Sequence, residues 1–214
     1  MLPSLHIPDD VRLRSVSVAE ADDTNWMSIL SEREISRRAG MKHEGRRNSF
    51  TAGRIALRSL LADELGLAPA DVPLTVLESG RLACRGSDLH LSLAHSGQLA
   101  VAAASRRNVG LDLESIRSKP SELLDYILAN EERDHIHSLD MDSDRSLFLC
   151  WTVKEAVLKA NGTGLRRSPR LVRVQIDLPA SKARVLDPSD RVWEVHFGLS
   201  NDYVAALAVE PLQP

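Results

Sequence analysis

Two long amphipathic stretches, each set among short alternating apolar runs, constrain this chain more than any other feature. Residues 48–66 carry Phe50, Ile55, Leu57, Leu60, Leu61 and Leu65 at helical spacing and close on Gly66, a residue free to take the left-handed terminus that ends a helix. Residues 144–160 repeat the design and run into Asn161-Gly162-Thr163-Gly164. Alternation or compact apolar runs predict strands over 11–18, 73–78, 89–94, 99–104 and 109–116, then over 171–178, 191–198 and 203–209. Lesser helices are predicted over 29–39, where Ser31 stands as N-cap with Glu34 three residues on, and over 121–129 and 130–138. Arg54-Ile55-Ala56-Leu57 and Lys154-Glu155-Ala156-Val157 sit alike within the two long helices. The pattern predicts an α+β chain of two similar halves, residues 1–106 and 107–214, with a site between them.

Charge narrows the function classes. Lys+Arg (27) nearly balances Asp+Glu (30), giving a net charge of -3, which argues against a general nucleic-acid binder. A local basic pocket for one small polyanion remains compatible with that balance. The N-terminus lacks the basic start and apolar core of a secretory signal, and no apolar run approaches the ~18–20 residues that span a bilayer, so a soluble cytoplasmic protein is expected. The two cysteines, Cys84 and Cys150, have no metal-ligand spacing, and Cys150 lies in an apolar run that predicts a buried, inert thiol.

The most informative short segment is Val109-Gly110-Leu111-Asp112-Leu113-Glu114. Side chains alternate along a strand, so Asp112 and Glu114 share one face, ~7 Å apart. Like charges at that separation repel unless a cation or proton intervenes, and a hard divalent ion such as Mg2+ resolves the conflict with oxygen ligands. Gly110 leaves room for a ligand or another backbone to approach. In the second long helix, Trp151, Glu155 and Lys159 fall in register at i, i+4 and i+8. Glu155 is a third candidate oxygen ligand, with Lys159 one turn away and suited to a phosphate. Read alone, Asp-x-Glu is also an ordinary solvated strand face, and Glu155 with Lys159 an ordinary surface pair contributing ~0.3–0.5 kcal/mol.

Taken together, Gly110-Leu111-Asp112-Leu113-Glu114 and, about forty residues on, Trp151-Thr152-Val153-Lys154-Glu155-Ala156-Val157-Leu158-Lys159 resemble the two hallmark motifs of the 4′-phosphopantetheinyl transferase superfamily. Ser92-Leu93-Ala94-His95-Ser96-Gly97 resembles its strand-end Ser-His-Ser element, with Ala94 where a serine is usual. Gly80-Arg81 resembles a Gly-Lys or Gly-Arg pair before that strand, and Phe50-Thr51-Ala52-Gly53-Arg54 the Phe-x-x-Gly-Arg start of the first long helix. The length resembles the larger, surfactin-synthetase-activating branch, a pseudo-dimer of two α+β halves in one chain, rather than the half-sized trimeric acyl-carrier-protein synthases.

The resemblance implies transfer of the 4′-phosphopantetheine arm of coenzyme A to a serine of an apo acyl or peptidyl carrier protein, with adenosine 3′,5′-bisphosphate released. It implies Mg2+ held by Asp112, Glu114 and Glu155, with Lys159 stabilising the leaving group and Glu155 or Asp112 as general base. His95, Ser96, Arg81, Arg54 and Lys154 are the expected coenzyme A contacts, Lys42, Arg46 and Arg47 a further basic stretch, and Ile116 to Pro120 a candidate carrier-contact loop. A monomer without membrane or nucleic-acid partners is expected. The competing readings are a Mg2+-dependent phosphohydrolase or nucleotidyltransferase, and a non-catalytic regulator that binds coenzyme A or a carrier.

Overall fold

The structure, a computed structural model, describes residues 1–118 and 122–211. The chain divides into two units, Pro8–Arg106 and the part from Arg107 onward, which also takes in the N-terminal segment Leu2–Ile7. In the first unit β1 (Val11–Ser17) leads through α1 (Val18–Asp23), α2 (Glu32–Ala39) and α3 (Glu44–Leu65) to β2 (Leu74–Val76), β3 (Leu82–Cys84), β4 (His90–Ser96) and β5 (Leu99–Ser105). In the second, β6 (Val109–Ser115) leads through α4 (Glu122–Ile127), α5 (Asn130–His137) and α6 (Ser143–Ala160) to β7 (Arg173–Asp177), β8 (Lys182–Leu186), β9 (Val192–Leu199) and β10 (Tyr203–Val209).

The strand orders are β1-β5-β4-β3-β2 and β6-β10-β9-β8-β7, and neighbouring strands run antiparallel. In each sheet the opening strand pairs with the closing one, and the longest helix lies between the first and second strands in sequence. The two α+β halves expected from the sequence are therefore topological repeats of each other.

Each long helix packs on its own sheet. In the first unit Leu57, Leu60 and Leu61 of α3 meet Leu91, Ala102 and Ala104, while Ala52 and Ile55 join Ala21, Leu30 and Ala100. In the second, Phe148, Leu149, Val153, Ala156 and Val157 of α6 share a core with Val195, Phe197, Val204, Ala206 and Ala208. The caps follow the sequence signals: Ser31 and Glu34 form a capping box on α2, and Gly66 ends α3 at φ 66°. Both cysteines are buried and unpaired with each other, and burial pushes the Cys150 thiol up to about 12. No helix among the described residues is long and apolar enough to cross a membrane.

Three elements lie outside the predicted set. β8 buries only Ala183 and Val185, and β3 is three residues long, so neither carries enough alternation to stand out. α1 did announce itself: Ser17 and Glu20 make a full capping box, a Ser-x-x-Glu signal concealed by the strand pattern that runs into it. α3 begins four residues before the predicted 48, because Glu44 to Arg47 is polar and adds no apolar period.

Candidate active site

The acidic cluster is built by β6 and α6. A Cβ placed on Gly110 would lie 1.9 Å from the Ala156 carbonyl oxygen and 2.4 Å from the Ala160 nitrogen. Gly110 thus admits the backbone of α6, and the strand and helix pack at a distance that no side chain permits. That approach brings Asp112 within reach of the last turn of α6: Lys159 Nζ donates to Asp112 Oδ1 at 2.7 Å and to the Leu111 carbonyl at 3.1 Å. Glu114, two residues along the same strand face, accepts from Trp151 Nε1 at 3.1 Å. The register read from the sequence, Trp151, Glu155 and Lys159 along one side of the helix, is the side that faces these carboxylates.

Asp112 and Glu155 are each 6% exposed, and one oxygen of each, Asp112 Oδ2 and Glu155 Oε1, is buried with no hydrogen-bond partner. Burial raises both carboxyls above the ordinary range. Glu155 is pushed up to about 7, first by desolvation and then by the negative charge of Asp112, with Lys159 opposing. A buried, acceptor-only oxygen without a donor calls for a cation, and an all-oxygen set suits a hard divalent ion. Among the described residues no three His, Cys, Asp or Glu side chains form a ready-made metal cluster. Lys159 on Asp112 and Trp151 on Glu114 hold those carboxylates in other contacts, so a metal would take ligands over from protein donors.

The residues expected at coenzyme A divide. His95 is exposed and Ser96 half-buried at the end of β4, and Arg81 is half-buried beside a tight turn where Gly80 takes φ 85°. Arg54 is instead drawn inward: it is 6% exposed, lies 3.1 Å from Glu34 Oε1, and packs over the Phe50 ring at 4.9 Å. Glu34 also accepts from Arg58 at 2.5 Å, so one carboxylate serves two guanidinium groups. Lys154 departs furthest from expectation. It is fully buried, with Nζ bonded to Glu132 Oε2 at 2.6 Å and to the Ile127 carbonyl at 2.9 Å, and it reaches no surface from which to touch a phosphate. Lys42 and Arg46 line a cleft of about 480 Å3 at the start of α3, together with Ser36, Arg37, Gly40, Met41 and His43. Arg47 turns away to the Met41 carbonyl. Of the expected carrier-contact loop, Lys119 and Pro120 lie outside the described residues.

Sequence reasoning missed Glu132 and Glu34, the buried partners of the two inward-turned cations. Their separations from Lys154 and Arg54, 22 and 20 residues, carry no local signal. His43 and Arg37 were likewise unread as members of the basic cleft.

Comparisons with known proteins converge. A family model described as the 4′-phosphopantetheinyl transferase superfamily matches residues 108–208. The 4′-phosphopantetheinyl transferase HetI of a Nostoc species is 30% identical over 95% of this chain and 89% of that protein. The 4′-phosphopantetheinyl transferase Sfp of Bacillus subtilis is 24% identical over 69% of this chain and 67% of that protein. A solved holo-(acyl-carrier-protein) synthase from Bacillus anthracis, in complex with CoA, is 21% identical and superposes with a TM-score of 0.38 over 47% of this chain and 96% of that one.

Proposed function

The chain belongs to the 4′-phosphopantetheinyl transferase superfamily, and on that premise we propose that its acidic cluster works with Mg2+ to move the phosphopantetheine arm of coenzyme A onto a serine of an apo carrier protein. The observation that carries this reading is the pair of unpartnered oxygens, Asp112 Oδ2 and Glu155 Oε1, buried beside a lysine. Two carboxylates kept out of water at a cost of desolvation are hard to account for in a scaffold and suit a site that receives a cation.

Asp112, Glu114 and Glu155 are the residues that would hold the ion. Bound there, Mg2+ supplies charge neutralisation and alignment for the pyrophosphate of coenzyme A. Lys159, half-buried and already directed at Asp112, stabilises the negative charge that accumulates on the departing adenosine 3′,5′-bisphosphate. The serine oxygen forms the new bond to phosphorus as the pyrophosphate P–O bond breaks. The hydroxyl proton passes to a carboxylate of the cluster, to Glu155 directly or through a bound water. Asp112 is the other base within the cluster. Within the first unit, taken by itself, His95, Ser96 and Arg81 and the cleft lined by Arg37, Lys42 and Arg46 offer donors and charge of the type that phosphate oxygens accept. The Arg54 guanidinium, engaged by Glu34, acts in this reading as support for the Phe50 end of α3.

The test is intact mass of apo carrier proteins incubated with the protein, coenzyme A and Mg2+. A gain of one phosphopantetheine group, abolished by EDTA and by Glu155→Gln, is the expected result. A folded, coenzyme A-binding protein that modifies no carrier would leave the non-catalytic regulator as the reading that stands.

A further inference from the structure

The buried lysine of the second motif has a different occupation from its neighbours. Lys154 and Glu155 are consecutive on α6, so their side chains leave the helix about 100° apart. Glu155 turns toward β6 and the acidic cluster, whereas Lys154 turns into the packed interior, where it meets Glu132. Glu132 accepts three donors: Lys154 Nζ at 2.6 Å and the Ala129 amide at 2.9 Å on Oε2, and the Val174 amide at 2.7 Å on Oε1. Lys154 Nζ adds the Ile127 carbonyl at 2.9 Å. One ion pair therefore ties α6 to the end of α4, the start of α5 and strand β7.

A fully buried pair of this kind is a poor way to gain stability, because apolar residues of the same volume do as well or better once desolvation is counted. What it supplies is direction, since four hydrogen bonds, three of them to separate backbone groups, admit one orientation and apolar contacts admit many. On the opposite side, α6 meets β6 through Gly110 and through the Lys159 and Trp151 hydrogen bonds to that strand, contacts that a cation on Asp112 and Glu114 would displace, so the far side of the helix is what holds its roll constant. We infer that the Lys154–Glu132 pair is a positioning device that fixes the roll of α6 and so aims Glu155 at the cation site shared with Asp112. This inference rests on the metal-dependent reading of that cluster.

The experiment compares Mn2+ binding, read by electron paramagnetic resonance in the presence of coenzyme A, between the full chain and the double variant Lys154→Met with Glu132→Gln. The double variant keeps the volume, removes both charges and leaves a side-chain carbonyl oxygen at position 132 to accept from the Val174 amide. Supporting partners of metal ligands typically set affinity by 10–100-fold, so a rise in the Mn2+ dissociation constant of about tenfold is expected, with the melting temperature changed little. In the transfer assay the metal concentration for half activity rises in step, while kcat at saturating Mg2+ falls less than about twofold. A purely structural pair would move the melting temperature and leave the metal dependence alone, and that outcome overturns the inference. Should the double variant fail to fold, Glu132→Asp, which keeps the charge and both acceptor oxygens and shortens the reach to Lys154 by one methylene, is read the same way. Absence of Mn2+ binding by the unmodified chain would remove the metal reading, and this inference with it; transfer by a chain whose variants bind Mn2+ normally removes this inference only.

Discussion

Strands β1 and β6 hold the same place in their sheets, and each reaches to the end of its unit's long helix with the opposite sign of charge. Counted from the first residue of each strand, Arg12 stands where Gly110 stands and Arg14 where Asp112 stands. Arg12 pairs with Glu64 and Arg14 with Asp63 near the end of α3, while Asp112 pairs with Lys159 near the end of α6. The first two pairs lie in solvent, where such contacts contribute ~0.2–1 kcal/mol. The third is carried inside, because glycine in place of arginine lets the helix backbone close on the strand. The same topology thus carries solvated ion pairs in one unit and a buried acidic cluster in the other, and the distance between helix and strand separates them.

The sharpest way to break that difference is Gly110→Ala. The new methyl group meets backbone rather than a flexible side chain, so α6 must move. A loss of about 3 kcal/mol is expected from denaturant midpoints, with arm transfer reduced at least about hundredfold by mass spectrometry. Gly53→Ala, a glycine within the long helix of the first unit, meets only the Leu93 side chain, nearest at 3.3 Å, and should change stability by less than ~1 kcal/mol.

Next in size is the cation. Lys159→Met should lower kcat/KM about hundredfold if the proposed role of its charge at the leaving group holds, and an unchanged kcat/KM would remove that role. Arg14→Met, its positional counterpart across the two units, should leave turnover unchanged and shift stability by less than ~1 kcal/mol.

A pH series reads the buried acidic cluster by its sign. The Glu155 carboxyl rises from 4.5 unfolded to about 7 folded, so the native state holds its proton longer, and metal-free stability falls as pH rises through that window. The size is on the order of 3 kcal/mol, and Mg2+ should recover it. Asp112, also raised, adds in the same direction. His196, depressed by burial and by His6 and Lys182, opposes it below 6.5. The quantity to read is therefore the difference in melting temperature between the unmodified chain and Glu155→Gln across pH 5 to 8. A difference that stays flat would remove Glu155 as the titrating group.

The smallest effect is expected from Trp151→Phe. The ring remains, the hydrogen bond to Glu114 goes, and the Mg2+ needed for half activity should rise severalfold, equivalent to about 1 kcal/mol, with the fold intact.

Much of this was written locally. Both long helices, Gly66 as a left-handed stop, the Ser31 and Glu34 box and the shared face of Asp112 and Glu114 follow from periodicities of two and 3.6 and from capping chemistry. Gly110 was legible as a close approach, though only the packing identified the visitor as α6. Lys154 was misread for a physical reason. A cation beside an acidic motif looks the same in sequence whether it points at solvent, ligand or core, and its direction is decided by Glu132, 22 residues earlier. Arg54 likewise takes its local partner, Glu34, from another helix. Charges are legible from sequence by type, and their partners only from the fold.

The two buried cysteines have a practical corollary. The co-substrate ends in a free thiol, and a chain with an accessible cysteine of its own would be exposed to mixed disulfides with it. Cys84 and Cys150 are both out of reach, and the Cys150 sulfur stays protonated, so the protein can be kept with its co-substrate in air without being captured by it. A single cysteine placed on the surface would then be the sole reactive sulfur, ready to carry a dye or spin label that reports on α6 without background.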